Sequence, residues 1–227
     1  MVHGMEEQVK PDHRSGPLRR RQVARTEHSI ITAATRLFLA NGYAATTLAA
    51  VAEAAEVATR TVYVRFGTKA ELLKRVLDVA IVGDTEPVGV VDRATSHAAM
   101  TALTRLERIA AVAAISREIM DRAGPLFGVA QDAASVEPLI AEHLQRGREE
   151  TRDFHRAVWT RMRDDGLLSP SCDLEWIIDT ASVIAAGETY FLIVRTFNWN
   201  LDAYEQWLRR TLTHLTTGTN AEPEAEH

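Results

Sequence analysis

The chain has 227 residues, of which 46% are hydrophobic and 25% charged. This composition fits one large or two small globular domains and excludes a disordered or collagen-like chain. No apolar run reaches the length of a membrane span, and the first 25 residues lack the apolar stretch of a secretory signal. Cys172 is the only cysteine and no zinc-ligand spacing occurs, so we expect a cytoplasmic protein without a cofactor, a metal site or a membrane partner.

The charge of the chain is unevenly distributed. The net charge is −5, but residues 14–75 carry eleven Lys or Arg against four Asp or Glu, a net charge of +7. Residues 76–227 carry 14 basic and 24 acidic residues, a net charge of −10. A basic N-terminal third on an acidic body is typical of a DNA-contacting head, although such charge is also compatible with an ordinary solvated surface.

The N-terminal segment, residues 1–22, has no sustained apolar period and contains two Gly and two Pro. We expect it to be a largely disordered basic arm. Its stretch LRRRQVAR at residues 18–25 could lie along phosphates or enter a minor groove, or it could act only as a solubilising tail.

Helical periodicity begins at Thr26 and ends at Asn41-Gly42, where Gly supplies a left-handed C-cap. Thr47 is a good N-cap for a short helix over 48–55, and a tight link at 56–57 leads to a second short helix over 59–65. Thr68 and Glu71 have the spacing of a capping box, which opens a helix that ends at Gly83. Residues 23–82 therefore form a three-helix head of the helix-turn-helix type with a connecting helix.

The second short helix is expected to read DNA. Its outward positions carry donors and small groups that suit base edges, and the flanking donors suit phosphates. The candidate DNA-binding residues are Thr46, Thr47, Thr59, Arg60, Thr61, Tyr63, Arg65 and Lys69. We expect Arg60 to contact a base rather than a phosphate, though either is open to a long cation.

The segment TEHSIITAATRLFLANGYAATTLAAVAEAAEVATRTVYVRFGTKAELL at residues 26–73 resembles the DNA-binding domain of the TetR family of regulators. The resemblance is carried by LF-x-x-x-GY at 37–43, TT at 46–47, VAEAA-x-V at 51–57, TVY-x-x-F at 61–66 and K-x-x-LL at 69–73. It implies DNA contacts from the positions of Thr47, residues 59–63 and Lys69. It also implies that two copies of the chain bind double-stranded operator DNA as a homodimer, most often as a repressor.

Two positions depart from the family pattern. Glu56 stands in the turn where Gly is usual, and Ala58 stands where a Ser cap is usual. We expect a weaker start to the recognition helix, by about 1 kcal/mol, with Thr59 taking over the cap.

The remainder of the chain also reads as helix, so the fold class is all-α. Segments are predicted near 94–103, 104–122, 125–133, 136–165, 173–198 with a break at Gly187, and 202–217. Residues 83–91 form a Gly/Pro-punctuated linker, and residues 218–227 are expected to be a disordered tail.

The resemblance implies that residues 83–217 form a helical effector-binding and dimerisation domain. Candidate pocket residues, for a small apolar or aromatic effector, are Met100, Met120, Phe127, Phe154, Trp159 and Met162; His155 lies beside them. Candidate dimer residues are Trp176, Thr180, Ile184, Leu208 and Leu212. Each stripe is equally compatible with an ordinary core.

Three other functions stay open at this point. The regulator could lack a small-molecule effector, or the chain could be an architectural DNA-binding protein, which its acidic body disfavours. A helical enzyme is the third, but no catalytic motif supports it, and we expect the chain not to be an enzyme.

Overall fold

The computed structural model of the chain describes residues 15–83, 90 and 94–217. These residues contain ten helices and no strand. The head comprises α1 (Ser15–Ala45), α2 (Leu48–Ala54) and α3 (Thr59–Phe66), and α4 (Lys69–Val82) leads out of it. The body comprises α5 (Ala94–Thr101), α6 (Arg105–Ala134), α7 (Pro138–Asp164), α8 (Leu174–Ile184), α9 (Gly187–Phe197) and α10 (Leu201–Thr217).

Local capping determines the helix ends in the head. Gly42 has φ 75° inside the C-terminal turn of α1 and kinks it there. The side chains of Thr47 and Thr68 accept hydrogen bonds from the backbone N–H of Ala50 and Glu71, which caps α2 and α4. Gly83 ends α4 in the left-handed conformation. The predicted boundaries of α2, α3 and α4 are close to those observed.

Helix α1 begins earlier than the sequence predicted. It starts at Ser15, so the expectation of a disordered arm was wrong for residues 15–22, which continue the helix outward with their arginines exposed. Residues 1–14, the linker residues 84–89 and 91–93, and the tail 218–227 lie outside the described residues.

In the body, the predicted break before Pro125 does not occur. Pro125 lies inside the single 30-residue helix α6. An internal Pro costs about 3 kcal/mol, and burial of Leu126, Val129 and Ala130 just beyond it favours the continuous helix. The predicted break at Gly187 is present, because α8 and α9 are separate and bent by 53°.

Two main cores hold the protein together. The first joins the head to the body, since Phe38, Val62 and Leu73 share a buried cluster with Leu126 of α6 and Ile140 of α7. The second is centred on Trp159, Met162 and Ile177, with contributions from α5, α6 and α10. A smaller cluster around Met120, Tyr204 and Leu208 packs α9 and α10 on α6. The head therefore shares a continuous hydrophobic core with the body.

Among the described residues, no single helix is long and apolar enough to cross a membrane. The bent pair α8 and α9 would reach that length and apolarity only if taken together.

Candidate DNA-binding surface and ligand cavity

The turn between α2 and α3 holds the two helices at a fixed angle. Val57 N donates to Ala52 O at 3.0 Å, and Glu56 takes φ 56° between them. Ser29 Oγ of α1 donates to Ala55 O at 3.1 Å and fastens the turn to the rest of the head. Glu56 therefore occupies the left-handed position for which Gly is the usual residue, at a cost of about 1 kcal/mol.

The start of α3 has no side-chain cap. Ala58 is its N-cap residue and Thr59 is its first helical residue, with no cap hydrogen bond from either side chain. The expectation that Thr59 would replace the missing cap was wrong, because a residue already in helical conformation cannot reach back over the N–H groups that need an acceptor.

The outer face of α3 is open to solvent. Thr59, Arg60, Tyr63 and Val64 are exposed, Tyr63 by 54% and Val64 by 78%, while Val62 is fully buried against α2. Arg60 has no hydrogen bond or ion pair with any residue that the structure describes. Thr61 is half-buried. The exposed residues thus form one surface with an uncommitted guanidinium, two polar hydroxyls and an apolar side chain that can contact a thymine methyl group.

Thr47 lies at the N-terminus of α2. Its Oγ1 accepts from Ala50 N at 3.1 Å, so the hydroxyl proton stays available to a phosphate.

Three of the predicted DNA-binding residues make contacts within the head. Thr46 is 1% exposed and its Oγ1 donates to Gly42 O at 2.8 Å, which closes the end of α1. Arg65 pairs with Glu27 of α1 at 2.9 Å. Lys69 Nζ donates to Tyr43 O at 2.8 Å and lies 4.1 Å from the centre of the Tyr43 ring. The predicted DNA contact is wrong for the buried Thr46, and in this conformation Arg65 and Lys69 are occupied within the head.

Glu27 joins α1, α3 and α4 and was missed by the sequence analysis. Its carboxylate accepts from Arg65 of α3 and, at 3.1 Å, from Nε and Nη2 of Arg75 on α4. Burial raises the pKa of Glu27, but the hydrogen bonds from Arg65 and Arg75 outweigh it and hold the pKa below its ordinary value. The network orients α3 relative to α1 and α4.

A cavity of about 1070 Å³ lies between α4 and the body helices α6, α7, α8 and α9. Of the predicted pocket residues, Met120, Phe127 and Phe154 line it. Other apolar lining residues are Leu77, Ile81, Ile115, Ile119 and Leu144. Trp159 and Met162 are fully buried in the second core and Met100 packs against that core, so the prediction was wrong for these three. Aromatic and Met residues at helical spacing fit either environment, and the sequence does not distinguish the two.

Two ion pairs join α7 to α8 and α9 at the edge of this cavity. Arg148 pairs with Glu188 at 2.7 Å, and Arg152 pairs with Asp179 at 2.7 Å. We call them the rim pairs. At the end nearer the head, His143 Nε2 lies 3.3 Å from Asp78 of α4, and burial lowers the pKa of His143 against the opposing effect of Asp78.

His155 is the cavity's most buried titratable side chain, at 1% exposure. Burial lowers its pKa to about 4, so the imidazole is neutral at physiological pH. Trp159 Nε1, which can only donate, donates to His155 Nδ1 at 3.2 Å.

The predicted dimer residues divide into two groups. Leu208 and Leu212 of α10 are 0% exposed within one protomer, so the prediction was wrong for them. On α8, Trp176 is 56% exposed, and Thr180 and Ile184 are partly exposed. Val183, Leu192 and Phe197 extend the exposed apolar surface of α8 and α9, each by at least 60% exposure. We call Trp176, Val183, Leu192 and Phe197 the apolar patch.

Among the described residues, no three His, Cys, Asp or Glu side chains are grouped so that they could hold a metal ion. The helix-turn-helix head on an all-helical body defines the class of the protein, an all-α protein whose head has the architecture of a DNA-binding domain.

The comparisons with known proteins agree with this class. Residues 30–76 match the family described as "Bacterial regulatory proteins, tetR family". A TetR transcription regulator from Haloarcula marismortui is 18% identical with a TM-score of 0.64, over 85% of this chain and 96% of that one. NalD from Pseudomonas aeruginosa, the secondary repressor of the MexAB-OprM multidrug efflux pump, is 15% identical with a TM-score of 0.63, over 86% and 96%. A protein assigned to the TetR family from Rhodococcus sp. is 13% identical with a TM-score of 0.64, over 85% and 98%.

No curated protein matches the chain significantly. The solved structures establish the fold, and the family match establishes the nature of the head. Residues 30–76 are therefore similar to the DNA-binding domain of the TetR family, and the described chain as a whole shares its fold with solved structures assigned to that family.

Proposed function

We propose that the chain is a homodimeric repressor that binds a two-fold symmetric operator through α3 of each protomer and is released from it by a small molecule in the cavity. The observation that carries the DNA-binding part is the exposed face of α3. The side chains of Thr59, Arg60 and Tyr63 there make no hydrogen bond with a described residue. Uncommitted donors on the second helix of such a motif suit base edges and phosphates in the major groove. Such a regulator binds its operator and its ligand without changing either chemically.

The apolar patch supports the homodimer. Large apolar side chains this exposed on two adjoining helices favour burial against another surface, and a closed dimer buries the same patch from both copies. Two recognition helices held by one interface read two half-sites about one helical turn apart.

Helix α4 supports the link between ligand and DNA. Its residues Leu77 and Ile81 line the cavity, while Leu72 and Leu73 are buried in the core of the head. Arg122 of α6 donates to Ala80 O and Ile81 O at 3.1 Å and ties the end of α4 to the body. A ligand that fits the cavity better when α4 has shifted therefore lowers the population of heads spaced for the operator.

The test is binding to the DNA upstream of the chain's own gene, measured by fluorescence anisotropy with excess competitor DNA. We expect saturable binding with a symmetric footprint. Arg60→Ala weakens it about tenfold to a hundredfold, because a good base contact contributes about 1–3 kcal/mol. Arg163→Ala, which removes an exposed charge from the end of α7 in the body, is the matched control and leaves affinity unchanged. The proposal would be contradicted if the protein bound competitor DNA as tightly as the upstream DNA. It would also be contradicted if Arg60→Ala and Arg163→Ala changed the affinity equally.

A regulator that responds to a protein partner alone is the second candidate. The cavity favours the small-molecule form, because it is large, mainly apolar and adjacent to α4. Thermal stabilisation by a ligand that also weakens operator binding separates the two candidates.

A further inference from the structure

The hydrogen bond between Trp159 and His155 fixes the tautomer of the histidine. Because an indole nitrogen donates only, Nδ1 of the neutral imidazole must accept, and the proton resides on Nε2. The two rings are stacked, with centroids 6.1 Å apart and planes 6° apart, and the Phe154 ring lies edge-on to the imidazole with centroids 5.5 Å apart. The orientation of His155 is therefore held by packing as well as by this bond.

Nε2–H has no hydrogen-bond acceptor among the residues that the structure describes. His155 is 1% exposed and lines the cavity, and its Nε2–H is left there without a protein partner. A donor that faces a mainly apolar cavity without an acceptor is poorly satisfied, so an acceptor placed opposite it is stabilising.

The other side-chain donors of the cavity wall are already committed. The hydroxyls of Ser116, Thr151 and Ser182 donate to carbonyls of their own helices, at 3.1, 2.8 and 2.6 Å. The first turn of α9 adds backbone donors, because its cap residue Ala186 offers no side-chain acceptor to the N–H groups there. The uncommitted polar groups of the wall are thus Nε2–H of His155, backbone N–H groups of α9 and, at the end nearer the head, Nδ1 of His143, which is buried without a partner.

The charges of the wall are balanced. The rim pairs neutralise Arg148 and Arg152, Arg75 pairs with Glu27, and Asp78 lies against both Lys74 and His143. Glu150 is exposed at the surface. Among the wall residues that the structure describes, no unpaired buried cation or anion is available to compensate the desolvation of a charged ligand.

We infer that the cavity takes a neutral, mainly apolar ligand with a carbonyl oxygen, and that His155 Nε2–H donates a hydrogen bond to that oxygen. The inference rests on the proposed function, since it specifies the chemical class of the effector. The hydroxyls of Ser116, Thr151 and Ser182 form part of the wall but donate no hydrogen bond to the ligand. His155 therefore provides the preference for a carbonyl oxygen.

The experiment compares three probes of one ring system on the full-length dimer: 2-acetylnaphthalene, 2-ethylnaphthalene and 2-naphthoate. Affinities are measured by calorimetry for the wild type and His155→Phe at pH 7.5. Phe keeps an aromatic ring and removes the donor, and we expect the ratio of ketone to hydrocarbon affinity to fall about threefold to tenfold, the value of one neutral hydrogen bond. The carboxylate binds more weakly than the ketone to both proteins.

Because His155→Phe leaves Trp159 Nε1–H without an acceptor, the double variant His155→Phe/Trp159→Phe is measured beside it, with circular dichroism as the check of folding. The hydrogen bond can also be tested by NMR on the wild type, without any substitution. In protein labelled with ¹⁵N-histidine, the Hε2 resonance of His155 moves downfield when 2-acetylnaphthalene binds and stays in place with 2-ethylnaphthalene.

The inference is overturned if the ratio of ketone to hydrocarbon affinity is the same in wild type and variant. It is also overturned if the Hε2 resonance does not move in the ketone complex. Either result leaves the proposed function intact. Tightest binding of 2-naphthoate overturns the neutral class. Failure of all three probes to bind the wild type counts against the ligand part of the proposed function itself, and the inference falls with it.

Discussion

Tyr43 Oη donates a hydrogen bond of 2.7 Å to Glu137 Oε1. Tyr43 stands at the end of α1 in the head, and Glu137 is the N-cap residue of α7 in the body. Burial and the neighbouring carboxylate raise the pKa of Tyr43, so the phenol stays protonated and able to donate. The tyrosine ring also stacks on Phe38 and receives Lys69 on its face. This bond is therefore a direct polar connection between the DNA-binding head and the body.

Removal of the phenol hydroxyl tests that connection. Tyr43→Phe keeps the ring stacking and loses a bond to a charged acceptor, so we expect the free energy of unfolding to fall by about 1–2 kcal/mol. Urea unfolding followed by circular dichroism measures it. Glu137→Gln keeps an acceptor at the same place and should cost less. Equal stability of wild type and Tyr43→Phe would show that the bond contributes nothing in solution.

The Glu27 network gives a second prediction. In Glu27→Gln the charged acceptor shared by Arg65 and Arg75 is lost, and we expect the free energy of unfolding to fall by about 1 kcal/mol, since the groups are partly exposed. Operator affinity should fall too, because α3 is then less firmly oriented. Because the folded pKa of Glu27 is lowered, its contribution is present at neutral pH and is lost as the pH falls below the ordinary value of 4.5. Glu118→Gln, an exposed carboxylate of α6, is the control, and a similar loss there would refute the assignment.

The head could be predicted closely from the sequence because its signals are local. Thr47, Thr68 and Gly83 each act on backbone groups within four residues, so their spacing specifies the helix ends. The departure at Glu56 was equally visible, since the position required a left-handed backbone whichever residue occupied it.

The partners of individual side chains could not be predicted in the same way. Arg65 meets Glu27 from 38 positions earlier in the chain, and Lys69 meets carbonyls 26 and 25 positions earlier. A cation beside a recognition helix has the same sequence signature whether it binds phosphate or the protein. The stripe of Leu208 and Leu212 was ambiguous for a related reason, because periodicity reveals an apolar face without revealing which surface covers it.

The exposed surface of α8 and α9 leads to a prediction about assembly. Val183→Glu places a charge in the apolar patch, and we expect the dimer to dissociate, with the dissociation constant raised at least about tenfold. Sedimentation velocity across a concentration series measures this. Leu103→Glu is the matched control, since Leu103 is 88% exposed in the turn before α6 and lies outside the patch. Loss of the dimer in both variants, or in neither, would rule out the patch as the interface.

The contact of α6 with α9 depends on a glycine. A Cβ on Gly124 would lie 2.5 Å from Cε1 of Tyr190, whose ring is held edge-on against Tyr204 with centroids 4.9 Å apart. Gly124→Ala should therefore lower the free energy of unfolding by about 1–3 kcal/mol through overpacking. Gly147→Ala in α7 has open space around its Cβ and should instead raise stability by up to about 1 kcal/mol, the difference in helix propensity. Thermal unfolding of the two variants checks both signs, and destabilisation of equal size would mean that helix geometry, not the Tyr190 ring, is responsible.

Finally, His155 predicts how stability depends on pH. Its pKa is about 4 in the folded protein against an ordinary value of 6.5, so the unfolded chain binds the extra proton first as the pH falls. The free energy of unfolding contributed by His155 is complete above pH 6.5 and declines from there towards pH 4, by about 3 kcal/mol in all. The groups packed around the ring, Phe154 and Trp159, do not titrate in this range.

His155→Gln isolates this contribution, because Gln can still accept from Trp159 Nε1 and does not titrate. Other groups with lowered pKa, such as His143 and Glu27, are common to both proteins and cancel in the comparison. We expect the difference in unfolding free energy between wild type and His155→Gln to shrink steadily between pH 6.5 and 4.5 in urea titrations. Parallel curves over that interval would mean that the imidazole is solvated in the folded protein, and a solvated imidazole would also remove the reason for a ligand acceptor opposite Nε2.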